Sequence, residues 1–273
     1  MLVIYLTGGY PSRYRTIQAL KVLHEEKVSL VELGVPFSDP LADGPTIQNA
    51  SFQALENGIN LDSIFEMVEE ARVEVGAENL ADADYGLNNI ILFTYFNPVF
   101  AYGIERLAEK CQEHGIKGLL VPDLPLEEAD RLKDILDSYG LTLTLLVAIT
   151  SSKERVHKIA KVSEPFIYLV SRIGITGSKS DIADLDNARD DTYQENLLIE
   201  KINEIREAAP KKPIGIGFGI DSPEKVQDCY DRGIEMAIIG SKAIKVLEQD
   251  GSDDLNQFRE FLQSVSVKSL SSH

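Results

Sequence analysis

Eight times along this chain a short run suited to a buried strand gives way to a segment with helical periodicity. That alternation narrows the possible folds more than any other feature. The strand candidates are Leu2–Leu6, Leu30–Leu33, Asn89–Tyr95, Gly118–Val121, Thr142–Ala148, Phe166–Val170, Ile214–Gly217 and Met236–Ile239. Several are continuous apolar runs, which is how parallel strands covered on both faces read. Helices are expected over Ser12–Glu25, Thr46–Asn57 with Leu61–Glu74, Gly103–Gly115, Leu126–Gly140, Lys153–Val162, Glu195–Ala209, Pro223–Gly233, and Lys242–Glu248 with Asp254–Val265. Gly58, Gly115, Gly140 and Gly233 stand where helix C-termini favour glycine. A parallel α/β sheet of eight strands closes most economically as a (β/α)8 TIM barrel, which needs about 250 residues. Residues 1–273 are therefore expected to form a single barrel domain with extra helices. The alternative is a doubly wound open sheet. Against it, the first strand leads into Thr7-Gly8-Gly9-Tyr10-Pro11 rather than the spaced glycines of a dinucleotide fingerprint.

Two connections exceed what a barrel needs. Residues 75–87 precede the third strand on the N-terminal side, so they are expected to be a surface excursion away from the active face. Residues 177–196 follow the sixth strand on the C-terminal side. They are polar and acidic, and are expected to be a mobile lid, disordered surface being the alternative.

Composition sets limits on partners. With 44 acidic and 27 basic residues the formal charge is −17, which argues against binding nucleic acid or an anionic membrane through bulk charge. No stretch approaches the roughly 20 apolar residues of a membrane span. The start, MLVIYLTGGYP, lacks the basic region and cleavage site of a signal peptide. Cys111 and Cys229 fall in separate helical patterns and are expected to be buried reduced thiols, in keeping with a cytoplasmic protein. The four histidines (His24, His114, His157, His273) have no metal-ligand spacing and none follows an apolar strand. No metal is expected, and acid–base chemistry falls to carboxylates.

Residues 31–48, VELGVPFSDPLADGPTIQ, supply two. Glu32 ends a short apolar strand, where desolvation raises a carboxylate pKa and lets it hold or release a proton near neutrality. Asp43 sits in a loop stiffened by Pro36, Pro40 and Pro45, where a carboxylate can stay ionised and balance developing positive charge. Taken alone, the pair could also be a solvated strand end and a turn. Three glycine-rich βα loops add to it: Gly174-Ile175-Thr176-Gly177 after strand six, Gly217-Phe218-Gly219 after strand seven, and Gly240-Ser241 after strand eight. The loops after strands seven and eight are a recurring phosphate site of barrels, served by backbone N–H groups and a helix N-terminus. Between carboxylates and glycines, Tyr5, Phe93, Tyr95, Leu120, Tyr168 and Phe218 are candidates for an apolar cavity, suited to a flat ring with a phosphorylated tail.

At this point the motifs resemble those of the tryptophan synthase α-subunit family. The resemblance runs over nearly the whole chain, through LVELGVPFSDPLADGPTIQNA (30–50), NPVFAYG (97–103), VPDLPLEE (121–128), YLVSRIGITG (168–177), GIGFGID (215–221) and IGSKAI (239–244). It implies a barrel and retro-aldol cleavage of indole-3-glycerol phosphate to indole and glyceraldehyde 3-phosphate. Glu32 would be the acid/base at the indole C3. Asp43 would be the carboxylate on the indole N–H, with Tyr168 beside the acid/base and Thr176 orienting Asp43. Gly177, Gly219, Gly240 and Ser241 would bind phosphate. The family acts in an αββα complex, passing indole to a β subunit that carries pyridoxal phosphate, with no cofactor in the α subunit itself. Pro36 and Asp39 would face that partner. A free-standing lyase and a non-catalytic activator of a β subunit are the other functions considered. Three features depart from the family pattern. Met1 lies next to strand one where the family has an extra helix, and Tyr10 replaces the usual Asp of a Gly-Asp-Pro turn. The 75–87 extension and the acidic lid are the third, and the lid bears on closure and partner signalling.

Overall fold

The computed structural model describes residues 1–81, 84–170, 187–217 and 219–266, of which 187–194 by backbone alone. Its strands are β1 (Leu2–Thr7), β2 (Leu30–Gly34), β3 (Ile90–Phe93), β4 (Gly118–Leu120), β5 (Thr142–Ala148), β6 (Ile167–Val170), β7 (Ile214–Ile216) and β8 (Met236–Ile239). The helices are α1 (Arg13–Glu25), α2 (Pro45–Glu56), α3 (Leu61–Val75), α4 (Ala77–Leu80), α5 (Phe96–Tyr102) and α6 (Ile104–Glu113), then α7 (Leu126–Ser138), α8 (Lys153–Val162), α9 (Asn187–Ala208), α10 (Pro223–Asp231), α11 (Ser241–Gln249) and α12 (Asn256–Val265).

All eight strands pair in parallel and in chain order, and β8 closes on β1. Alternate side chains separate two apolar bodies. Leu2, Ile4, Leu6, Val31 and Leu33 face outward and pack in the continuous core under the helices. Val3, Leu30, Ile91, Leu120, Phe166, Met236 and Ile238 fill the barrel interior. Both faces of each strand are thus covered, which is why the strands carry apolar runs rather than alternating patterns.

The closed barrel bears out the expected class. The expected strand ends hold to within about three residues, and helix entry follows local capping. The Ser12 hydroxyl accepts the Arg15 N–H at 3.2 Å, and the Asn60 side chain accepts the Ser63 N–H at 3.0 Å.

Two helices, α5 and α9, differ from expectation. The described residues of the excursion before β3 form structure of their own. They contain α4 and a 3-10 turn over Gly86–Asn88, and they fold back on α1. His24 on α1 lies 3.1 Å from the Asn79 carbonyl and stacks near Tyr85, with ring centroids 5.2 Å apart. Helix α5 was absent from the sequence reading because Pro98 lies within it; proline is tolerated in a first turn, where its missing N–H has no partner to lose. The Phe96 N–H at that turn is taken by Asp123 Oδ1 at 2.7 Å. Helix α9 begins at Asn187, eight residues before the expected Glu195, so the second half of the proposed 177–196 lid is helical. The remainder of that lid, residues 177–186, lies outside the described residues. Among the described residues no helix is long and apolar enough to cross a membrane.

Candidate active site

Register along the barrel decides which side chains meet. Tyr5 pairs with Glu32, and Gly34 with Phe93, across β1, β2 and β3. Glu32 therefore points inward above Leu30, with an apolar floor beneath it. It is 1% exposed, and its buried Oε1 has no hydrogen-bond partner among the described residues. Burial, with the nearby Asp43 charge adding to it, pushes its pKa up to about 8.

Asp43 reaches the same cavity from the loop between β2 and α2. Its own N–H donates to the Pro40 carbonyl at 3.0 Å, and the Gln48 side-chain amide donates to its carbonyl at 2.9 Å. The Tyr95 hydroxyl donates to Asp43 Oδ2 at 2.9 Å and accepts the Ala42 N–H at 3.0 Å. Burial raises Asp43 to about 7, while the Tyr95 hydrogen bond pulls it back by favouring the ionised form. Both carboxylates thus titrate near neutrality. Among the described residues only Asp43 has a donor that holds its charge, so ionisation falls first on Asp43 and the proton stays on Glu32.

The cavity has a volume of about 280 Å³. Glu32, Asp43, Tyr5, Phe93 and Tyr168 line one part of it, and Gly217, Gly219, Gly240 and Ser241 another. Tyr5 meets Phe93 edge to face at 5.4 Å. Two strand-end glycines make room for the tyrosines. A Cβ on Gly34 would fall 2.2 Å from the Tyr5 hydroxyl oxygen, and one on Gly217 would fall 1.9 Å from that of Tyr168.

Opposite the carboxylates, Gly219 has φ +79°, a conformation favouring glycine, and its carbonyl accepts from Lys225 Nζ at 2.8 Å. Helix α11 starts at Ser241, and no side chain among the described residues caps it. Its first N–H groups are therefore free for an anion.

The structure brings together Glu32, Asp43, Tyr5, Phe93, Tyr168, Gly219, Gly240 and Ser241 around this one space. Tyr95 acts behind it, on Asp43. Leu120 does not line the cavity, which corrects its assignment: it lies in the interior cluster, and the next inward position, Pro122, reaches the cavity instead. Thr176, Gly177 and Phe218 lie outside the described residues. Of the two residues expected to face a partner, Asp39 is exposed. Pro36 is buried, because Val35 just before it still pairs with the Phe93 carbonyl of the barrel at 2.9 Å. Leu41, 82% exposed, is a large apolar side chain that this loop presents to solvent. Lys242 and Lys245, which the sequence reading passed over, also line the cavity. Their three-residue spacing after Gly240-Ser241 was the available signal.

The profile of the tryptophan synthase alpha chain family matches residues 1–271. The chain belongs to that family. The tryptophan synthase alpha chain of a Synechocystis strain is 40% identical over 270 residues, covering 97% of this chain and 93% of the relative. That of a Cyanothece strain is 42% identical over 267 residues, covering 97% and 91%. Among solved structures, a mutant tryptophan synthase alpha-subunit from the hyperthermophile Pyrococcus furiosus superposes with TM-score 0.78 at 26% identity, covering 97% of this chain and 96% of its own. Ligand-free tryptophan synthase from M. tuberculosis superposes with TM-score 0.77 at 26% identity, covering 97% and 90%. As a tryptophan synthase alpha chain, this protein is a carbon–carbon lyase of tryptophan biosynthesis that cleaves indole-3-glycerol phosphate.

Among the described residues no group of three or more His, Cys, Asp or Glu side chains could hold a metal ion. The two cysteines are buried free thiols.

Proposed function

We propose that Glu32 and Asp43 carry the cleavage, Glu32 as acid and then base, Asp43 as the balancing charge. The observation that carries this reading is the 1% exposed Glu32, whose Oε1 has no hydrogen-bond partner among the described residues, in one cavity with a tyrosine-tethered Asp43. Breaking the bond between the ring and the glycerol chain first requires breaking indole aromaticity by placing a proton on carbon. Protonated Glu32 gives its proton to C3, and the ring becomes a cationic indolenine. Ionised Asp43 accepts a hydrogen bond from the ring N–H and stabilises that charge. Glu32, now a carboxylate, takes the hydroxyl proton from the adjacent side-chain carbon. The O–H electrons form the aldehyde C=O, the C–C electrons return to the ring, and Glu32 ends protonated as it began. Indole and glyceraldehyde 3-phosphate result.

Tyr5, Phe93 and Tyr168 enclose the ring, with Phe218 assigned to the same group from its place after the seventh strand, and Thr176 is assigned on motif position to orient Asp43. Backbone N–H groups at Gly219 and Gly240, with Gly177 by motif, and the Ser241 hydroxyl hold the phosphate. The chemistry written for this chain uses no cofactor of its own. Its partner is a pyridoxal-phosphate β subunit in an αββα assembly, met by the loop carrying Asp39 and the exposed Leu41. The whole of 1–273 acts as one cytoplasmic barrel domain. Glu32→Gln tests the reading: cleavage should fall to background with and without the β subunit, while inorganic phosphate still binds. Near-normal turnover by Glu32→Gln would remove the acid/base assignment. Unchanged stimulation of the β subunit by that variant is expected.

A further inference from the structure

The two lysines of α11 remain unexplained by phosphate binding through backbone N–H groups. Lys242 and Lys245 are exposed, three residues apart on one helical face, and both line the cavity beside Gly240 and Ser241. Neither has an ion-pair or hydrogen-bond partner among the described residues, whereas Lys225 nearby is held by Asp221 at 2.9 Å and by the Gly219 carbonyl. Asp221 also lines the cavity, but Lys225 already offsets its charge.

Their placement runs against the local field. Lys242 stands in the first turn of α11, which contains no acidic residue, and a helix N-terminus repels a cation. It also runs against the whole molecule, whose formal charge is −17. A phosphate monoester carries about −1.5 to −2 at pH 7 and is repelled by such a surface. Two unpaired ammonium groups at the cavity offset that repulsion where the substrate enters. A bound phosphate would in turn lie between the helix end and Lys242 and remove the unfavourable contact.

We propose that Lys242 and Lys245 form a cationic rim that draws the phosphorylated end of the substrate into the cavity and selects the dianion. The proposal rests on the phosphate site assigned above and adds side-chain charge to it. The lysines act on binding and not on the bond-breaking step, so their effect belongs in KM and in its salt dependence.

The test is steady-state cleavage of indole-3-glycerol phosphate by the full chain with its β subunit. Wild type is compared with Lys242→Gln/Lys245→Gln, with Lys242→Arg/Lys245→Arg, and with Lys161→Gln/Lys211→Gln. The last removes the same charge at exposed lysines that do not line the cavity. At ~0.01 M salt, where the Debye length is ~30 Å, the cavity glutamine pair should raise KM about tenfold with kcat nearly unchanged. At ~1 M salt, where screening acts over ~3 Å, that difference should shrink to less than about twofold. The arginine pair should restore the wild-type KM, and the distant glutamine pair should move it far less. An unchanged KM at low salt, or a rise that ignores salt, overturns the rim. Competition by inorganic phosphate separates the two levels of the claim. Phosphate that competes equally well in wild type and in the cavity glutamine pair removes the rim alone. Phosphate that fails to compete in wild type removes the phosphate site and the rim together.

Discussion

A carboxyl oxygen buried without a donor is unfavourable to the fold, because no protein hydrogen bond replaces the water it lost. Among the described residues the Oε1 of Glu32 is such a group, and Asp43 differs from it by one tyrosine hydroxyl. The difference sets a pH dependence with a definite sign. In the proposed mechanism cleavage uses ionised Asp43 and protonated Glu32, so kcat/KM should fall on the acid side through about 7 and on the alkaline side through about 8. The two limbs belong to an interacting pair, so they report the pair's macroscopic steps. Tyr95→Phe removes the donor that favours ionised Asp43 and should move the acid limb upward by about one pH unit, equivalent to ~1.4 kcal/mol. A profile for Tyr95→Phe that superimposes on wild type would detach Tyr95 from the charge state of Asp43. At this scale the carboxylates were legible in the sequence, since a strand end and a proline-stiffened loop mark them. The tie from Tyr95 to Asp43 was not, because it spans 52 positions and depends on β3 lying beside β2. Lys242 and Lys245 could be placed only once α11 was seen to border the cavity.

At the scale of elements, the cavity depends on what the strand ends leave out. Gly34 and Gly217 carry no side chain because the hydroxyls of Tyr5 and Tyr168 occupy that space. Gly217→Ala would put a methyl 1.9 Å from the Tyr168 oxygen, so the tyrosine or the β7 end must move. We expect a loss of about 1–3 kcal/mol in denaturant unfolding, together with reduced cleavage and a tyrosine displaced in the variant's crystal structure. Wild-type stability and wild-type activity in Gly217→Ala would show that the contact does not constrain the site. Strands were readable because being covered on both faces writes long apolar runs. Glycines at their ends read as turn-formers, and nothing local distinguishes a turn glycine from one vacated for a distant tyrosine. The same limit hid α5, where Pro98 reads as a break although it falls in a first turn. It also hid the early start of α9, where polar residues 187–194 lack an apolar stripe. Leu120 was misplaced by one inward layer because alternation says which face a side chain takes and not how high it stands along the barrel axis.

For the whole molecule, eight strand–helix alternations were enough to anticipate a closed parallel barrel, and the pairing of β8 with β1 completes it. Closure is also what lets the chemistry form. It brings Glu32 and Asp43 from the β2 region into one cavity with loops from β7 and β8, nearly two hundred residues later in the chain. The central claim is that one substrate spans this cavity, with its reacting carbon at Glu32 and its phosphate at Gly219, Gly240 and Ser241. The most direct measurement is a crystal structure of the Glu32→Gln protein holding intact indole-3-glycerol phosphate. It should show the side chain at position 32 within about 3.5 Å of indole C3, the ring N–H on Asp43, and phosphate oxygens on the α11 N-terminus. A well-ordered substrate with its ring remote from position 32, or with its phosphate outside the loops after β7 and β8, would contradict the account.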